Sequence, residues 1–143
     1  MLPYDSDFWE TIKSDIHDRF YTDLLSSIEC GAFDGGCVVV AQAIAAVFGG
    51  ALVCLTTECD RAQHAAVLRL GFLWDYDGPL PFRPFINRFV VAEQPPFPIV
   101  SFRHLTSRDL PAAPRNTALV KRCSSLLSNS FRHHIQLRGH FDY

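Results

Sequence analysis

Gly35-Gly36-Cys37-Val38-Val39-Val40-Ala41-Gln42-Ala43-Ile44-Ala45-Ala46-Val47-Phe48-Gly49-Gly50 is apolar on nearly every side, with Gln42 its single polar side chain. Three valines in a row suit a strand. The length of the run, its alanines and the glycine pair that ends it suit a helix instead, and one without a polar face belongs inside a domain. The loop feeding it, Cys30-Gly31-Ala32-Phe33-Asp34-Gly35-Gly36, is rich in residues that permit unusual backbone angles. Cys37 therefore stands in the opening turn of a buried helix.

Upstream, Phe8, Ile12, Ile16, Phe20, Leu24 and Ile28 recur every fourth position between Ser6 and Glu29. This predicts an amphipathic helix laid on the core, with Ser6 or Asp7 as its N-cap. Downstream the period falls to two. Ala51 to Thr57 reads as a strand, Glu58 to Gln63 as a polar turn, and Ala65 to Leu70 with Phe72 to Tyr76 as a hairpin closed near Gly71. Among the prolines that follow, Arg88 to Ala92 reads as one more strand. Ser101 to Pro114 reads mostly as loop with room for a helical turn, Thr117 to Leu127 as a second amphipathic helix, and Phe131 to Leu137 as an edge strand. The order implies a single α+β domain over residues 1–143, its helices packed on an antiparallel sheet.

Hydrophobic residues make up 48% and charged residues 20% of the 143, a globular balance with enough apolar material for a core without disulfides. A formal net charge of -2 leaves no electrostatic footprint for nucleic acid, and the short basic turn Arg132-His133-His134 reads as a solvated face. The five cysteines are an odd number without a repeating spacing. Cys54, Cys59 and His64 lie too loosely for a zinc site, so no metal and no cofactor is expected. Met1 to Asp7 lacks the pattern of a secretory signal, and Cys37 to Phe48 is too short to span a bilayer. These features predict no membrane association and free thiols in a reducing cytoplasm. A mature domain delivered from the cell as an effector would have the same composition.

A thiol is an effective nucleophile as the thiolate, and both a helix N-terminus and a neighbouring imidazolium favour that form. Cys37 has the first by position, and its backbone N–H is placed to bind an oxyanion. His64, just ahead of an apolar strand, is the candidate for the second. Closing the hairpin at Gly71 brings residues 75 to 77 across from 64 to 66, and Asp75 and Asp77 share a face of the sheet. Either carboxylate could orient the His64 ring. Asp75 is the preferred partner because it lies between Trp74 and Tyr76, where an unpartnered carboxylate is costly. Asp77, followed by Gly78-Pro79, has a simpler role in a turn.

Gly35-Gly36-Cys37 opening a buried helix, then Gln63-His64-Ala65-Ala66-Val67, then Phe72-Leu73-Trp74-Asp75-Tyr76-Asp77-Gly78, resembles the papain-like cysteine hydrolase superfamily. The nearest likeness is to its small bacterial toxin and deamidase domains. The resemblance covers about residues 33–78. It implies a cysteine-dependent hydrolase or transferase with Cys37, His64 and Asp75 as its triad, acting on an amide or acyl group of a protein or peptide, in an effector or toxin setting. Many papain-like proteases carry an oxyanion glutamine shortly before the cysteine. Glu29, Cys30 and Gly31 occupy that stretch here, and Gln63 beside His64 is the substitute candidate. Two other classes compete with an enzyme. One is a catalytically inactive binding module of the same fold, serving as an immunity, adaptor or regulatory protein. The other is a redox sensor that pairs Cys30 with Cys37.

Overall fold

The computed structural model describes residues 9–11, 36–106, 108–109 and 117–139. The expected helix from Ser6 to Glu29 lies outside the described residues except for a helical stretch at 9–11, and so does Cys30. The ordered elements are α1 (Gly36–Phe48), β1 (Ala51–Thr56), β2 (Ala62–Arg69), β3 (Phe72–Asp75), β4 (Gly78–Leu80), α2 (Phe82–Glu93), β5 (Ser101–His104) and α3 (Thr117–Gly139). The five strands form one antiparallel sheet in the order β4-β3-β2-β1-β5. Helices cover both faces, which makes the molecule an α+β domain.

Alternation along the strands sorts the core into two halves. On one face Ala65, Val67 and Trp74 meet Val38, Val39, Val40, Ala41, Ala43 and Ile44 of α1, Cys123 and Leu127 of α3, and Trp9. On the other, Val53, Leu55, Ala66 and Leu73 meet Phe85 and Phe89 of α2. Trp9 is buried between Phe48 and Trp74 and donates its indole N–H to the Tyr76 carbonyl at 2.8 Å. That bond ties the N-terminal stretch to the turn between β3 and β4.

Two turns set the register. Arg69 pairs with Phe72, leaving Leu70 and Gly71 as a two-residue loop with φ of 52° and 82°, the positive pair of a type I′ turn. Asp75 pairs with Gly78 across Tyr76-Asp77, and Gly78 has φ 102° with no room for a Cβ, which would stand 2.6 Å from Trp9.

Four expectations are corrected. Ser101 to His104, read as loop, is β5 and pairs with β1. Arg88 to Ala92 is helical and belongs to α2. Phe82, Phe85, Ile86, Phe89 and Val90 recur with helical period, Pro81 serves as N-cap, and Pro84 falls in the first turn, where its missing N–H costs nothing. Phe131 to Leu137 continues α3, which runs unbroken to Gly139. The turn assigned to Glu58–Gln63 is shorter, because β2 begins at Ala62 and takes Gln63 and His64 into the strand. Among the described residues, no helix is long and apolar enough to cross a membrane.

Candidate active site

α1 spans 13 residues and β1 six, and each is about 20 Å long from its rise per residue. Gly49-Gly50 joins them by a reversal, Gly50 lying so close to β2 that an added Cβ would stand 2.7 Å from Val67. β1 finishes, β2 carries His64 among its opening residues and β3 finishes with Asp75 at one end of the sheet, while α1 packs on the face that bears Ala65, Val67 and Trp74. The Cys37 side chain lies outside the described residues.

His64 and Asp75 meet directly, Nε2 to Oδ2, at 2.8 Å. A carboxylate can only accept, so Nε2 carries the proton and donates it. Both side chains are largely buried, at 13% and 11% exposure, where such a bond is little weakened by water. The pair lies on the α2 side of the sheet, the face opposite the one on which α1 packs. Phe89 stacks on the imidazole with ring centroids 4.7 Å apart and planes at 23°, and Phe85 lies 6.2 Å away. An irregularity in the β1–β2 pairing falls beside it. Leu55 pairs with His64 and Thr56 with Ala62, so Gln63 is passed over. Such bulges re-aim the side chains next to them.

The other oxygen, Asp75 Oδ1, accepts the Asp77 backbone N–H at 2.8 Å and the Arg88 guanidinium at 3.0 Å. His64 thus bonds Asp75, while Asp77 enters the same cluster through its backbone in the turn. Gln63, the second oxyanion candidate, is half-buried and donates an amide hydrogen to the Ala62 carbonyl at 3.2 Å. Arg88 had no role in the sequence-based reading because its segment read as a strand. The helical period of its phenylalanines was the signal that locates it.

Around the β1–β2 loop, at this same end, Thr57, Glu58, Cys59, Arg61, Phe97 and Pro98 line a cavity of about 420 Å³. Arg103 of β5 donates to Asp60 of that loop at 2.7 Å and grips both oxygens of Asp109 at 2.7 and 2.8 Å. These bonds hold the Asp109 carboxyl well below the usual carboxylate range. Burial pushes the Cys54 thiol up to about 11 and the Cys123 thiol up to about 12, so both stay protonated at neutral pH, whereas Cys59 is exposed. Among the described residues, no three His, Cys, Asp or Glu side chains converge as a metal site. No protein-family model, curated protein or solved structure matches the chain.

Proposed function

We propose that the chain is a cysteine-dependent hydrolase or transferase acting on an amide or acyl group of a protein or peptide, with a papain-like arrangement of Cys37, His64 and Asp75. The observation that carries this reading is the largely buried His64–Asp75 bond, which fixes the imidazole with one nitrogen committed to a carboxylate. With Nε2–H donated to Asp75, the basic nitrogen of the neutral ring is Nδ1. That nitrogen takes the proton from the Cys37 thiol. The thiolate attacks the substrate carbonyl carbon, and the Cys37 backbone N–H receives the developing oxyanion. The tetrahedral intermediate collapses as Nδ1–H returns its proton to the leaving amine, leaving an acyl thioester. Water then completes hydrolysis or deamidation, or an amine completes transfer. The cavity beside the β1–β2 loop has room for a substrate side chain. A bacterial effector or toxin acting on a host or competitor protein is the setting we favour.

Iodoacetamide labelling at pH 6 to 7 tests the nucleophile. Cys37 is expected to react ahead of every other thiol, with Cys54 and Cys123 last because burial keeps them protonated. Labelling of Cys37 no faster than of the exposed Cys59 overturns the reading.

One observation favours a second reading, an inactive binding module. Asp75 is already accounted for by the turn N–H and by Arg88, so the fold has reason to keep it without catalysis. Cys37→Ala separates the two. An unchanged cellular phenotype with intact partner binding selects the module.

A further inference from the structure

We propose that Arg88 is a positioning residue for His64, fixing both the carboxylate at its Nε2 edge and the ring against its face. The purpose of this role rests on the thiol reading above; the geometry does not. Arg88 Nη2 donates to Asp75 Oδ1 at 3.0 Å and to the Gly78 carbonyl at 2.7 Å, while Nη1 donates to the Asp77 carbonyl at 2.9 Å. One planar fork therefore gathers three acceptors of the β3–β4 turn, a geometry that a lysine ammonium cannot copy. The guanidinium also lies over Phe85, 5.1 Å from the ring centroid. The next residue in α2 is Phe89, whose ring stacks on His64. Arg88 thus couples the group that holds the imidazole edge to the helix that holds its face. Without it, Asp75 keeps the Asp77 N–H on Oδ1 and loses its charged anchor, and the carboxylate is free to turn away from His64.

Nitrogen-edited NMR of the full chain tests this, the His64 signal being identified by its loss in His64→Gln. The wild-type protein is expected to show a downfield Nε2–H proton protected from exchange with water. In Arg88→Gln that proton exchanges faster by about tenfold, the scale of losing one charge-assisted hydrogen bond, and in Arg88→Lys by an intermediate factor. A merely structural tie between α2 and the turn predicts no change while the variant stays folded, which circular dichroism monitors. Unchanged exchange in folded Arg88→Gln overturns the proposal, as does the absence of a protected Nε2–H in the wild type. Should Arg88→Gln fail to fold, Arg88→Lys decides by the same criterion. The readout involves no thiol, so a Cys37 of ordinary reactivity would end the enzyme reading and leave the Arg88 result standing.

Discussion

Asp75→Asn keeps the shape of the side chain and removes its charge. If the amide oxygen stays with the Asp77 N–H, Arg88 loses its ionic partner and the amide N–H faces His64, which can accept it only as the Nδ1–H tautomer. Because the cluster is largely buried yet not dry, stability is expected to fall by about 1–3 kcal/mol, measured as a shift of the urea unfolding midpoint. On the thiol reading, Cys37 alkylation near neutral pH slows at least about tenfold in the same variant, since a mispaired imidazole no longer stabilises the thiolate. A drop in stability with unchanged Cys37 reactivity would assign Asp75 to the turn alone. His64 and Asp75 were legible as partners because a two-residue loop at Gly71 fixes register, and register fixes which residues oppose one another. Arg88 was not legible by that route. Its approach to Asp75 depends on how α2 lies over the sheet, which alternation within strands does not encode.

The elements themselves were read with uneven success, for physical reasons. α1 was legible from its alanines and the glycines that stop it, against the pull of Val38-Val39-Val40. Phe89-Val90-Val91 in α2 exerted the same pull toward strand, and there it misled, because prolines crowding the N-terminus hid a helix that accepts them at its cap and first turn. In α3 the continuation past Leu127 was obscured by the Arg132-His133-His134 cluster, of which Arg132 and His133 stand exposed on the helix. The β2–β3 hairpin carries an element-scale liability. Leu70 is 66% exposed and holds φ 52°, a conformation that costs a leucine roughly 1–2 kcal/mol. Leu70→Asn puts the residue preferred in a type I′ turn ahead of Gly71, and is expected to stabilise the protein by about 0.5–1 kcal/mol. A thermal melt reads this as a higher Tm, and a lower one would show that Leu70 is held by contacts its exposure does not suggest.

Across the whole molecule, the sheet is fastened towards its two edges by charge. Arg88 grips the β3–β4 side, and Arg103 links the β1–β2 loop at Asp60 to Asp109 beyond β5. Asp109 has the depressed carboxyl, so its contribution is present in full above the unfolded carboxylate pKa of about 4 and is lost as pH falls below that toward the folded value. Asp109→Asn should therefore be less stable than the wild type at pH 7. The gap between their urea midpoints should close progressively below about pH 4. A gap independent of pH would mean that the side chain acts through packing rather than charge.

Asp75 serves two masters, a turn and an imidazole, and this bears on how related chains would diverge. On the thiol reading, a lineage that abandoned chemistry would be released from His64 before Asp75, because the bonds that build the β3–β4 turn run to the carboxylate and not to the imidazole. Asp75, Arg88 and Gly78 would persist, held by the turn they build. The aspartate is accordingly the poorest witness to activity in any descendant. Joint loss of His64 and Cys37, with Asp75 and Arg88 retained, would be the mark of a member that has kept the scaffold and given up the reaction.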